Sequence, residues 1–413
     1  MQRIAIVGAG PGGICAGIRL KQAGHEDFVI LEQAGGVGGT WWHNSYPGCA
    51  CDVPSHLYSF SFALKRDWPR PYATQPEIRA YMEDCVARFG LWPHIRLNTP
   101  VSAARWIETQ TAWELTLADG RTLQAEVLVG AVGMFNLPAW PAIAGLDRFA
   151  GTVFHSARWN HEHDLAGRDV AVIGSAASAV QFVPQIARLA RRLDVYQRTP
   201  NWVRPREDAY TPEQLAEFRD DPAAAAAERE TVWNWVNAIQ TLVDPDILRD
   251  SAAVCLQNLE LVKDPATRAK LTPDYPFGAK RALISNDWYP TFNRSNVQLV
   301  TEPIVGITPE AIVTRDGTPR VVDTIVLATG FDTTRFLSTI AVSGRDGVRL
   351  DDAWADGAQA YLGITVAGFP NLFMLYGPNT NNGSIIFQIE CQVDYLLRHL
   401  QRMTREKLAW IEV

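Results

Sequence analysis

Residues Arg3–Glu32 read RIAIVGAGPGGICAGIRLKQAGHEDFVILE. The apolar run Ile4-Ala5-Ile6-Val7 predicts a buried strand. A glycine turn follows, Gly8-Ala9-Gly10-Pro11-Gly12-Gly13, then a helical stretch from Ile14 and a second apolar run, Phe28–Leu31. Between a strand and a helix, Gly8 makes the tight turn and Gly10 lets the backbone approach a pyrophosphate. Gly13 lets helix and strand pack closely. The helix N-terminus then faces the phosphates. Glu32, at the end of the second strand, can accept hydrogen bonds from ribose hydroxyls. Flanks, turn and acid together predict a dinucleotide site.

The same plan returns at Arg168–Arg198, RDVAVIGSAASAVQFVPQIARLARRLDVYQR. Gly8 to Glu32 and Gly174 to Arg198 are both 24 positions. The second turn is Gly174-Ser175-Ala176-Ala177-Ser178-Ala179, with alanine at the second and third glycine positions. The third position tolerates alanine, and the second loses some close approach. At the acid's position stands Arg198, followed by Thr199. A carboxylate would repel a 2′-phosphate, whereas a guanidinium binds one bidentately. The fold expected is α/β, with two Rossmann-like dinucleotide-binding domains and a helical insertion. The first unit suits a free ribose hydroxyl and the second NADPH. Two dinucleotides in one chain imply electron transfer between them, and FAD with NADPH is the pairing expected.

Around these units, Gln75–Phe89 predicts a helix stopped by Gly90. A hairpin is expected from Ala112–Leu117 and Thr122–Val129 around Asp119-Gly120. The polar stretch Pro205–Pro276 reads as helical. Asp323–Ala328 predicts a strand before the return to the first domain, and Ile385–Thr404 an amphipathic closing helix. The expected organisation is a FAD-binding domain over 1–140, an NADPH-binding domain over 150–328 with its insertion at about 205–276, and a return to the FAD-binding domain over 329–413.

Composition bounds what remains. The chain has 413 residues, 47% of them hydrophobic, and a net charge of −7. That is a globular composition without the basic footprint of a nucleic-acid binder. Six cysteines, at 15, 49, 51, 85, 255 and 391, are far below a disulfide scaffold. Cys49-Ala50-Cys51 has no second Cys or His pair at ligand spacing, so no metal is expected. Met1-Gln2-Arg3 runs straight into a strand, without the features of a signal peptide. The uncharged stretches 127–146 and 357–389 are broken by Gly, Pro and Asn, which suits buried strands and turns better than a membrane span. A cytoplasmic location is expected.

Three further segments carry a resemblance. The first, Gly38-Gly39-Thr40-Trp41 through Tyr46-Pro47-Gly48 to Asp52, is G-G-x-W-x-x-x-x-Y-P-G-x-x-x-D. The second is Phe149-x-Gly151-x-x-x-His155-x-x-x-Trp159 followed by Asn160. The third is Gly278-Ala279-Lys280-Arg281 with Asn286–Asn293 after it. Over residues 1 to about 403 the chain resembles the class B flavin monooxygenases, and among them the Baeyer–Villiger monooxygenases. Trp159 favours that branch; Tyr or Phe there would resemble the N- and S-oxygenating enzymes.

The resemblance implies roles. Gly8, Gly10, Gly13, Glu32, Gly39, Thr40, Trp41, Asp52 and Tyr58 would contact FAD. Gly174, Ser175, Ala176, Ala177, Ser178, Ala179, Arg198, Thr199 and Lys280 would form the NADPH site, the last three around the 2′-phosphate. Arg281 would stabilise the flavin peroxide, with Asp52 as its acidic partner. Gly151, His155 and Trp159 would belong to the domain linker. The implied partners are a small-molecule ketone and dioxygen, giving an ester or lactone. An N- or S-oxygenating activity and an uncoupled NADPH oxidase are the alternatives. A disulfide reductase would need a redox cysteine pair beside the flavin, and Cys49 and Cys51 are only one residue apart. Two departures are expected to affect substrate closure. The sequence ends at Val413, where the family continues, and the turn Pro378–Ser384 is a few residues short.

Overall fold

The computed structural model describes residues 2–240, 244–380 and 383–413. Ile4–Val7 (β1) pairs in parallel with Phe28–Leu31 (β2) and with Val127–Gly130 (β3), and all three strands are buried along their whole length. Unbroken apolar runs fit this setting, because a parallel sheet is covered on both faces. Pro11–Gln22 (α1) joins β1 to β2. Ile95–Arg96 extends one edge and Leu372–Met374 the other, making a five-stranded parallel sheet.

The second unit repeats the arrangement. Asp169–Ile173 (β4), Ala177–Ile186 (α2) and Arg192–Tyr196 (β5) form its βαβ core. Thr324–Leu327 (β6) flanks β4, and the sheet runs Val297–Val300, β5, β4, β6, Thr152–His155, all parallel. The connections that leave β3 and β6 run side by side. Ala139 N donates to Gly330 O at 2.9 Å, and Thr329 Oγ1 donates to Ala139 O at 2.6 Å.

Among the described residues, the insertion holds four helices, Pro212–Asp220, Pro222–Gln240, Pro245–Leu259 and Pro265–Leu271. Each opens on a proline, whose missing N–H is harmless at the first helical position. Thr211, Asp221, Asp244 and Asp264 stand just before them, and their side chains accept from first-turn backbone N–H groups. The final helix, Ile385–Glu406 (α3), buries Ile386, Ile389, Val393, Leu396, Leu400 and Met403 at spacings of three and four, and packs on α1.

Four sequence expectations need correction. The hairpin's second arm stops at Ala125; Val127–Gly130 belongs to the first parallel sheet, since all four of its residues are buried and only a sheet covered on both faces accepts that. The stretch Val180–Arg192, between the second glycine turn and the strand that follows, reads as one helix, yet α2 ends at Ile186. Asn296 Nδ2 donates to the carbonyls of Ala187 and Ala190, both at 2.9 Å, and ends it there. The insertion's first helix starts at Pro212, after a short extended segment at Val203–Arg204 paired with Leu283–Ile284.

The fourth correction concerns the equal spacing of the two units. Val7 is in register with Leu31, and Ile173 with Tyr196. Gly8 N donates to Leu31 O and Gly174 N to Tyr196 O. The residue equivalent to Glu32 is therefore Gln197. Arg198 stands one place further out, because the second unit has one residue fewer between its paired strands. The turn Pro378–Ser384 contains Asn381 and Asn382, which lie outside the described residues.

Candidate active site

The two glycine turns face a common cavity of about 670 Å³. That is a usual size for a small-molecule or cofactor site, ~300–1,000 Å³.

On the first unit, the backbone packs too closely for side chains. A Cβ on Gly13 would lie 1.9 Å from Gly8 O, and one on Gly39 would lie 2.9 Å from Gly10 Cα. Gly8, with φ of +107°, would drive a Cβ to 2.5 Å from Ala131 O. The result is a cradle of bare backbone at the N-terminus of α1, with Gly8, Gly10 and Gly39 on the cavity wall. Glu32 is buried, and its two oxygens accept from Ala9 N and Ala34 N, each at 2.7 Å. It thus fastens the glycine turn while lining the cavity. Burial raises its pKa above the ordinary carboxylate value, and the backbone donors oppose that rise.

Thr40 opens a single helical turn, Thr40–His43, and lines the cavity with Trp41 and Tyr58. Trp41 Nε1 donates to Tyr58 Oη at 3.0 Å, with the rings nearly perpendicular. Gln75 Nε2 donates to Trp41 O. Asp52 follows on the same loop. Its Oδ2 meets Arg281 Nε at 2.9 Å, and both residues line the cavity.

On the second unit, Gly174 has φ of +112°, and a Cβ there would lie 2.3 Å from Ala328 O, which parallels Gly8 against Ala131. Ala176, Ala177 and Ser178 line the cavity at the N-terminus of α2. Ser175 and Ala179 are buried beneath them, and Ser175 O accepts from Asn201 Nδ2 at 2.9 Å. Arg198 and Lys280 are exposed and Thr199 is half-buried; none of the three lines the cavity. Neither cation forms an ion pair with a described residue, and Lys280 Nζ lies 4.6 Å from the centroid of the Tyr275 ring.

His155 is buried beside the two connections between the sheets, its ring 6.2 Å from Trp140 and 6.1 Å from Phe331. Gly151 packs against Asp323 O, where a Cβ would come to 2.3 Å. Trp159 packs on Phe154 and Phe182, at 5.1 and 5.2 Å. Gly151, His155 and Trp159 do not line the cavity.

Sequence reasoning missed several wall residues. Gln181 on α2, Phe331 after β6, Tyr376 after Leu372–Met374, and Ile385 and Ile389 on α3 all line the cavity. Gln181 had one weak local signal: it is a polar residue set between the buried Val180 and Phe182. The others arrive by the chain's return and carry no local signal.

A model of the pyridine nucleotide-disulphide oxidoreductase family matches residues 5–220. The chain is thus a member of that class. Disulfide exchange requires a thiolate, which the burial of Cys49 and Cys51 disfavours. Burial pushes the Cys49 thiol up to about 12 and Cys51 higher still.

Within that class the chain belongs to the Baeyer–Villiger monooxygenase family. It is 42% identical to a Baeyer–Villiger monooxygenase of Pseudomonas aeruginosa, covering 100% of this chain and 79% of that one. It is 45% identical to one of Streptomyces coelicolor, covering 97% and 78%. Its fold matches the cyclohexanone monooxygenase of Rhodococcus sp. Phi1 bound to NADP+, with a TM-score of 0.88 and 32% identity over 100% of this chain and 86% of that one. Among the described residues, no helix is long and apolar enough to cross a membrane.

Proposed function

We propose that this chain uses FAD and NADPH to insert one oxygen atom of dioxygen beside a ketone carbonyl, giving an ester or lactone. The observation that carries this reading is the Asp52–Arg281 pair at 2.9 Å, set in a cavity walled by both glycine turns. Residues 1–140 with 329–413 form the FAD-binding part, and 150–328 the NADPH-binding part.

The residues present fit both cofactors. The bare cradle of Gly8, Gly10, Gly13 and Gly39 admits a pyrophosphate to the N-terminus of α1. Glu32 stands at the ribose position, and Thr40, Trp41 and Tyr58 would border the ring system. Gly174 to Ala179 would take the NADPH pyrophosphate, and the unpaired cations Arg198 and Lys280, with Thr199, the 2′-phosphate. When bound, FAD accepts hydride from NADPH and delivers the electrons to dioxygen, the source of the inserted atom.

The chain's own groups then do three things. Arg281 holds a fixed cation where negative charge develops on oxygen. Asp52 pairs with Arg281 at 2.9 Å and holds the guanidinium at the cavity wall, where it can face the reacting atoms. Leu375, Ile385 and Ile389 add an apolar wall to the same cavity, which suits a ketone's hydrocarbon skeleton. The six cysteines, all free thiols, suit a reducing compartment such as the cytoplasm.

The test is direct. Purified protein is incubated with NADPH, air and a panel of cyclic, aryl and long-chain ketones, and products are read by mass. A gain of one oxygen in a ketone supports the reading. Oxygen appearing only in amines or sulfides, or NADPH consumption that yields only hydrogen peroxide, overturns it.

A further inference from the structure

Tyr46, Pro47 and Gly48 belong to a motif carried by the sequence, yet the reading above gives them no part. The structure shows what they meet. Tyr46 Oη donates to Gln181 Oε1 at 3.0 Å, and Ala50 N donates to the same oxygen at 3.3 Å. Gln181 Nε2 donates back to Ala50 O at 3.0 Å. One side-chain amide thus reads both backbone groups of Ala50, as a neighbouring strand would. Ser178 hydrogen-bonds the same Tyr46 phenol, and burial holds that phenol protonated by raising its pKa well above the ordinary value.

The fit leaves no slack. A Cβ on Gly48, which has φ of +80°, would lie 2.8 Å from Gln181 O and 3.2 Å from Gln185 Cγ. The Tyr46 ring packs edge-on against Phe182 at 5.9 Å, and Phe182 in turn carries the fingerprint residue Trp159. The helix bearing Gln181 begins with Ala177 and Ser178 on the cavity wall, one turn earlier. The loop it grips reaches Asp52 two residues after Ala50.

We propose that Gln181 is a positioning residue: through its two-way pairing with Ala50 and its bond from Tyr46, it sets the separation and orientation of the NADPH-carrying helix relative to the flavin-side loop. The inference rests on the cofactor assignment above. Hydride transfer is steep in distance, and a displacement of about 1 Å can cost on the order of 10²-fold. A grip that fixes both distance and rotation therefore acts on the transfer step, while the groups that hold the coenzyme's phosphates stay in place.

Two measurements on the FAD-loaded protein test this: the rate of flavin bleaching by saturating NADPH under anaerobic conditions, and the affinity for NADP+ from the flavin difference spectrum. Gln181→Leu, which keeps the bulk and removes the bonds, should slow bleaching about tenfold while affinity stays within about twofold. Gln181→Glu keeps the acceptor for Tyr46 and Ala50 N, but its anion repels Ala50 O. Only its protonated form can donate there, so its bleaching rate should rise as pH falls, a trend absent from Gln181→Leu. Gly48→Ala, which forces the same surfaces apart, should mimic Gln181→Leu. An unchanged rate in Gln181→Leu overturns the proposal, as does an affinity that falls in parallel with the rate, which would make Gln181 a coenzyme contact. If the unaltered protein is not bleached by NADPH at all, the cofactor reading fails and this proposal with it.

Discussion

Arg281 Nε lies 2.9 Å from Asp52 Oδ2, joining a segment that follows the helical insertion to the loop that follows the first βαβ unit. The side chains remain 47% and 33% exposed. An ion pair this open adds little to stability, about 0–1 kcal/mol, so its worth lies in aiming a cation. Activity and fold should therefore separate on mutation.

Arg281→Ala should leave the melting temperature nearly unchanged and should still consume NADPH. Ester or lactone yield should fall by about 10²-fold, with hydrogen peroxide released instead, because no fixed cation remains at the developing charge. Arg281→Lys should rescue poorly, since a point charge lacks the planar fork. Product mass together with a peroxide assay checks this; normal ester yield in Arg281→Ala would remove the residue from its assigned role.

Gly13→Ala should give colourless protein. The added Cβ would sit 1.9 Å from Gly8 O and push the glycine turn out of shape. Absorbance of the purified variant, before and after added FAD, decides the matter. A yellow variant with unaltered affinity would show that the turn can move aside.

Arg198→Ala should narrow the preference for NADPH over NADH by roughly 10- to 150-fold, the loss of one charge-assisted hydrogen bond of ~1.5–3 kcal/mol. Gln197→Glu is a complementary test, because Gln197 occupies the register position that Glu32 holds in the first unit. It should weaken NADPH through repulsion and affect NADH less. Comparing kcat/KM for the two coenzymes measures both effects.

Acid should weaken the fold. His56 and His155 are each 1% exposed, and burial pushes both down to about 4, helped by Arg229 and Arg158 respectively. The unfolded chain titrates them near 6.5. Between those values the unfolded state binds more protons, so the stability present above pH 6.5 is lost as pH falls toward 4, by up to about 1.4 kcal/mol per pH unit for each histidine. His56→Gln should flatten the slope of unfolding free energy against pH in that window. A slope identical to the unaltered protein's would show that His56 is protonated in the fold.

The βαβ core of the first unit was legible in the sequence, because its main constraints are local: Gly13 packs on Gly8 and Glu32 fastens Ala9, all within thirty residues. The second was legible in kind but not in register. Counting from Gly174 to Arg198 includes the connection between α2 and β5, and a count cannot tell a shorter connection from a shifted strand. Only the pairing of Ile173 with Tyr196 reveals Gln197 at the acid's place. Val127–Gly130 was assigned to the wrong sheet for a related reason. It continues a hairpin in sequence, and its full burial shows only once the parallel neighbours are present. Gln181 and Ala50 are 131 positions apart, and Tyr376 reaches the cavity on the returning chain, so no local pattern shows what they meet.

The return of Leu372–Met374 to the edge of β3 also orders events in time. During synthesis β3 stands as an open edge from Gly130 until Leu372 emerges, an interval of roughly ten to fifty seconds at ~5–20 residues per second. The second sheet can close once Leu327 has emerged, before Leu372 does, since its strands lie between Thr152 and Leu327. The later-numbered unit is therefore the first able to finish folding. The nascent chain carries an incomplete flavin cradle with an unpaired apolar edge, the condition that recruits chaperones. The flavin-side sheet is therefore complete only when its last strand docks against Val127–Gly130.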